Sequence, residues 1–224
     1  MGGRSVRREP ALLHVTEQAR EILHRLGWTK YFNCLQGDDT NVTLEFFQNL
    51  QGEISIVQGI QKNFTSKIVT GVTGLPTIGI QWIGKYNKLR KAVESFTESG
   101  EELEKKGKGL NPSTLSELWK ELAGIVQCYI TCDGQYDVIR PRHLKLLVAL
   151  KQRLVLNLPF FLDTVLHEVA LRTQKSKDPV VVISHHKLVK LIVDKAPSQS
   201  QLTVETLIEG NRPPQLEQVT TTQR

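Results

Sequence analysis

Apolar residues along this chain recur mostly at helical spacings, and almost nowhere do they alternate strictly, so the pattern predicts a helical protein. Val15 to Leu26 is the first helical candidate, with Ile22, Leu23 and Leu26 clustered and Gly27 as a stop. Trp28, Tyr31 and Phe32 follow at once and are expected to pack beside it. NVTLEFFQNLQG, from Asn41, reads as a short helix ended by Gly52. EISIVQGIQKNF alternates loosely around Gly59 and is the one β candidate, a small hairpin or extended excursion near residues 53–64. TSKIVTGVTGLP predicts another short helix, capped by Ser66 and terminated by Gly74 and Pro76.

From about Ile80 to Phe96 a helical pattern sets Trp82, Ile83, Tyr86, Leu89 and Val93 near one face. SGEELEKKGKGLNP then mixes charge with glycine, which makes residues 97–112 the best place for an internal boundary. The clearest helix is STLSELWKELAGIVQCYIT, where Leu115, Leu118, Trp119, Leu122, Ile125, Val126, Tyr129 and Ile130 hold helical register and Thr114 with Glu117 makes a capping-box pattern. Residues 140–162, RPRHLKLLVALKQRLVLNLPFFL, predict a helix from about Pro141 to Val155, a break at Asn157 to Pro159, and a second helix through about Arg172. Ser184 is placed to cap a last helix to Ala196. The expected fold is mostly α, a single multi-helix domain of about seven or eight helices over residues 11–196. A flexible basic N-terminus (1–10) precedes it, and a tail (197–224) with too little apolar content to order itself follows.

Composition adds constraint in two places. No charge-free apolar run is long enough to span a bilayer and the N-terminus lacks a signal-like stretch, so cytosol or nucleus is the expected compartment. The three cysteines, Cys34, Cys128 and Cys132, sit among apolar residues and read as reduced, inert thiols. The net charge of +6 is uneven: residues 140–195 hold eleven cationic and four anionic side chains, whereas residues 31–139 hold ten and thirteen. A basic C-terminal third makes a polyanionic partner plausible.

Catalytic signatures fail one by one. HEVAL at 167–171 has Leu171 where a zincin helix needs its second histidine, and GKGLNPS lacks the spacing of a phosphate loop. Cys128 and Cys132 have no second ligand pair nearby in sequence. His185 and His186 are adjacent, about 100° apart on a helix, and suit a cap or the surface better than a shared ion. Asp163 and His167, with Glu168 beside them, have the spacing of an acid–base pair but no nucleophile to complete one. No cofactor and no metal site is expected, and the chain does not read as an enzyme.

Helical angles within 140–155 leave one functional candidate. Lys145, Ala149, Gln152 and Arg153 fall on a narrow arc with Arg142, between about 280° and 20°, while the leucines and valines cover more than half the circumference. So wide an apolar face predicts a core helix, with Lys151 extending its stem past the core to reach water. Membrane-surface binding fits less well, because such helices carry a wider cationic face. Arg140, Arg142, Lys145 and Arg153 remain as a basic ridge for RNA or DNA backbone, with salt-sensitive and largely sequence-independent contacts.

The order of the pieces LGWTKYF, LEFFQNL, VQGIQKNF, IVTGVTGLP, LWKELAGIVQCYIT, RPRHLKLLVALKQRLVLNLPFFL and HHKLVKLIVDKAP resembles the plant transposon protein domain found in retrotransposon-derived, gag-like open reading frames. The resemblance covers about residues 20–197, and its specificity lies in order and spacing, since each piece is built mainly of core residues. It transfers no catalytic residues. It implies a helical module that works by self-association, partner binding and RNA packaging, with a possible homo-oligomer and no membrane span. The alternatives are an enzyme or enzyme remnant of transposition machinery, and a host regulatory interaction protein on the same fold.

Overall fold

The structure is a computed structural model that describes residues 15–81, 96, 109–132, 138–179 and 184–197. Among these residues it contains eight α-helices and one two-stranded antiparallel sheet, so the chain is mostly α with a small hairpin. The helices are α1 (Glu17–Arg25), α2 (Thr29–Cys34), α3 (Thr40–Asn49), α4 (Ser66–Thr73), α5 (Glu117–Ile125), α6 (Pro141–Lys151), α7 (Leu158–Lys175) and α8 (His186–Lys195). The strands β1 (Ile54–Val57) and β2 (Ile60–Asn63) pair from Ile54 opposite Asn63 to Val57 opposite Ile60. No described helix is long and apolar enough to cross a membrane.

Helix α7 is the spine. Helices α3 and α4 pack on it and on α8, while α6 packs on α5. Phe46 stacks edge-on against both Phe47 and Phe64 beneath the hairpin, and Phe32 meets Tyr129 edge-on across the core, with ring centroids 5.5 Å apart. Trp28, Tyr31 and Phe32 are buried as expected, but a short helix, α2, carries two of them.

Several boundaries differ from the sequence expectations, each for a local reason. Thr65, in extended conformation, caps α4 one residue earlier than Ser66, and its hydroxyl accepts the Ile68 N–H at 3.3 Å. Gly74 ends that helix in the left-handed conformation, as expected. The Thr114–Glu117 capping box does not form, because Pro112–Thr114 is a separate 3-10 turn capped by Asn111, and Ser116 precedes α5 without a side-chain bond. His185, not Ser184, is the N-cap of α8. Helix α7 runs three residues beyond Arg172, and Asn157 caps it by accepting the Phe160 N–H at 3.2 Å. Ile80 lies in a bridge with Leu156 instead of opening a helix; the rest of that predicted helix up to Phe96, most of the 97–112 boundary, and both chain ends lie outside the described residues.

After Ile125 the helix widens into a π segment, Val126–Thr131, whose six residues are all buried. Widening changes which carbonyls find partners inside the helix. The Tyr129 carbonyl accepts the Tyr31 hydroxyl at 2.8 Å, and the Ile130 carbonyl accepts His185 Nε2 at 3.2 Å. Loss of the hydroxyl in Tyr31→Phe removes this bond between α2 and the π segment and is expected to cost about 0.5–1.5 kcal/mol in chemical denaturation.

Among the described residues four histidines have shifted pKa values: His143, His185 and His186 lowered, each chiefly by burial, and His167 raised. His143 Nδ1 accepts the Arg140 N–H at 3.1 Å, so the ring is neutral, and burial with Arg142 and Arg140 beside it pushes its pKa down to about 3. Burial likewise pushes His185 down to about 4. His167 is opposite: Nδ1 meets the Asp163 carbonyl at 2.9 Å and Nε2 the Gly52 carbonyl at 2.8 Å, so both nitrogens must donate. The Asp163 carboxylate, 3.2 Å from Nδ1, outweighs desolvation and, with the two carbonyls, raises its pKa to about 9. An unfolded histidine titrates near 6.5, so His143 and His185 contribute stability that is lost as pH falls from there toward 4 and 3. His167 contributes stability fully present below that value and lost as pH rises through about 9. The melting temperature is therefore expected to peak near pH 6.5, and His167→Gln to flatten the alkaline side while leaving the acid side, in a thermal-melt series across pH.

Candidate nucleic-acid interface

Helix α6 is more deeply buried than its angular pattern implies. His143, Leu144 and Leu146 through Leu150 are all buried, and Ala149, placed by angle on the basic arc, is fully so. Charge is left at the two ends. Pro141 opens the helix after Arg140, and Arg142 and Lys145 emerge from its first turns.

Arg142 and Lys145 meet α7 there. With Phe161, Thr164 and Glu168 they line a groove of about 130 Å³ between the two helices. Thr164 and Glu168, one turn apart on α7, face the same space as Arg142 and Lys145, three apart on α6. Arg142 Nη1 stands 3.8 Å from Glu168 Oε2, and both side chains are part-exposed. Burial and the nearby Arg172 pull the Arg142 pKa down, and Glu168 partly offsets them. Lys145 has no ion pair among the described residues and faces the groove as an uncompensated charge. Among its described lining residues the groove thus combines two cations, one aromatic side chain and one carboxylate.

Arg153 does not belong to this surface. Helix α6 ends at Lys151, and Arg153 sits in a left-handed turn with φ 57°, beyond about 14 Å of helix from Arg142. The predicted ridge therefore divides: Arg140 and Arg142 with Lys145 at the start of α6, Arg153 past its end. The expected apolar arc fails at the same turn, where Val155 is 46% exposed and its carbonyl accepts the Ile80 N–H at 2.9 Å. Lys151 does not thread the core either. Its ammonium lies 4.9 Å from the Phe96 ring centroid and 5.7 Å from that of Trp119, a cation–π contact at the surface.

Sequence reasoning missed Arg172, which lies near enough to depress both Arg142 and His185. Its signal was the spacing from Glu168, four residues earlier on α7, which puts both on one face. None of the three cysteines forms a disulfide, and burial raises the Cys34 thiol, which disfavours the reactive thiolate. Asp163 and His167 do meet, at 3.2 Å, but both nitrogens of the ring are committed to backbone carbonyls. Among the described residues no group of three His, Cys, Asp or Glu side chains is placed to hold a metal ion.

Compared with family models, curated proteins and solved structures, the chain matches none of them. The groove's own chemistry supplies a test. Glu168→Gln removes this carboxylate and is expected to tighten binding of a short RNA by about 0.5–1 kcal/mol at low salt, two- to fivefold, in fluorescence anisotropy. Since His143 and His185 stay neutral from pH 5 to 8, that affinity should be flat across the same range.

Proposed function

We propose that this chain is a non-enzymatic helical protein of retroelement origin that acts by binding: to copies of itself or other partners, and to nucleic-acid backbone through the groove between α6 and α7. The observation that carries the nucleic-acid part is the convergence of Arg142 and Lys145 on one groove, with Arg172 close by and Glu168 the one carboxylate among its described lining residues. Two cations and one carboxylate among the described lining residues, with Arg172 nearby, suit phosphate as a distributed charge. Phe161, part-buried in the lining, is the aromatic side chain there that would stack an unpaired base, which favours single strands over duplex. The retroelement origin rests on the order of the sequence pieces alone, and it makes RNA the favoured polyanion and cytoplasm or nucleus the expected compartment.

A salt series tests the nucleic-acid part. The affinity of the full chain for a single-stranded oligonucleotide is expected to fall steeply with ionic strength, and Lys145→Gln to lower the slope of log K against log salt by about 0.7. Arg153→Gln should leave that slope as it is. A slope that ignores Lys145, or that responds equally to Arg153, would remove the groove from the account.

A further inference from the structure

The hairpin carries an unpaired strand edge, and its two sides are treated differently. The Phe64 N–H donates to the Glu53 carbonyl at 2.7 Å, which sets the phase of the ladder. Ser55 with Lys62, and Val57 with Ile60, are then the hydrogen-bonded pairs, and the backbone groups of Ile54, Ile56, Gln61 and Asn63 point outward. On the β1 side the chain closes its own edge. Ile54 exchanges bonds of 2.8 and 3.2 Å with Gln51, and Asn49 Nδ2 donates to the Ile56 carbonyl at 2.7 Å. On the β2 side no hydrogen bond among the described residues uses the backbone groups of Gln61 or Asn63.

The side chains that share the outer face of the hairpin are uncharged: Ile54 and Ile56 on β1, Gln61 and Asn63 on β2. Ile54 and Ile56 are 40% and 50% exposed on the outer face, and Ile60 is 48% exposed at the turn. Residues 51–61 hold one charged side chain, Glu53, in a chain of net charge +6. Inward charges commonly guard open edges, because adding a strand would bury them. Lys62 does not serve that way here, since it is already buried and donates to the Ala196 carbonyl at 3.0 Å.

We infer that the outer edge of β2 is a homodimer seam, at which two copies pair β2 against β2, antiparallel, to make one four-stranded sheet. The inference rests on the self-association part of the proposed function and names its surface. An unpaired row of N–H and C=O groups calls for another strand. The second copy supplies the same row in reverse, as a two-fold interface requires. The outward side chains of β1 and β2 carry no charge, so two copies of a chain of net charge +6 meet there without like-charge contact. The outer face of the joined sheet then sets Gln61 and Asn63 of both copies at the seam, with Ile54 and Ile56 on the flanking strands.

Sedimentation of the full chain over a concentration series, with amide exchange read by NMR, tests the seam. The mass should rise from one chain to two, with the Gln61 and Asn63 amides becoming protected only as the dimer forms. Gln61→Pro and Asn63→Pro each remove an outward N–H and no rung of the hairpin. Each should weaken dimerisation at least tenfold while the far-UV circular dichroism stays that of the parent. Should either variant lose its fold, the other and the parent's exchange data decide. A single chain at every concentration would overturn both the seam and self-association. A dimer that survives both variants with those two amides unprotected would overturn the seam and leave self-association standing. Protection that persists at every dilution would mean that the chain covers this edge itself, which also overturns the seam.

Discussion

An eleven-residue helix with seven buried side chains can carry charge only where it enters and leaves the core, and α6 is such a helix. Its leucines have no solvent face on which to alternate with cations, since desolvating an unpaired charge among them costs more than the leucines gain by burial. Cations are therefore displaced to Arg140, Arg142 and Lys145 at one end and to Lys151 and Arg153 at the other. At the first end α7 crosses close by and makes a groove with them. At the second, Lys151 spreads its charge over Phe96 and Trp119. The distribution of surface charge follows from the depth at which one helix is buried.

Packing so many short helices leaves many carbonyls without helical donors. They are met by long side chains from far away in sequence. Gln174 on α7 donates to the Phe47 and Leu50 carbonyls at 3.0 and 2.9 Å, and His167, two turns earlier on the same face, holds the Gly52 carbonyl. Asn157 reaches the Thr77 carbonyl at 2.7 Å, and Gln127 that of Val138 at 2.9 Å. Lys62 completes the set at the end of α8. Each bond replaces a solvent contact that burial has removed, and each ties an irregular stretch to a regular one. The π segment belongs to the same economy, since its carbonyls receive Tyr31 and His185.

What the sequence disclosed follows from which of these forces is local. Helix periodicity and glycine stops are local, and α1, α3, α4, α6, α7 and α8 all fall where periodicity placed them, as does the hairpin around Gly59. Caps are less legible, because Thr65 and Ser66, or Ser184 and His185, compete for the same place and backbone conformation chooses between them. Burial is not local at all. Angular arithmetic put Ala149 on a polar arc and Val155 on an apolar one; packing buries the first, and the end of the helix at Lys151 leaves the second exposed. Arg153 was lost from the candidate site for the same reason, since a left-handed residue after Lys151 breaks the angular count on which the ridge depended. Arg172 entered because two helices converge, which no single-helix pattern encodes.

The two faces of interest are chemically distinct: a basic groove between α6 and α7, and an uncharged strand edge on β2. The central claim is that the cations at the start of α6 act together with α7 as one surface, while Arg153 stands apart. An NMR titration with a short oligouridylate tests it most directly. The account predicts shift changes that cluster on Arg142, Lys145, Phe161 and Thr164 and leave Arg153 and the hairpin unmoved. Changes centred on Arg153, or spread evenly over the basic residues of the chain, would contradict it.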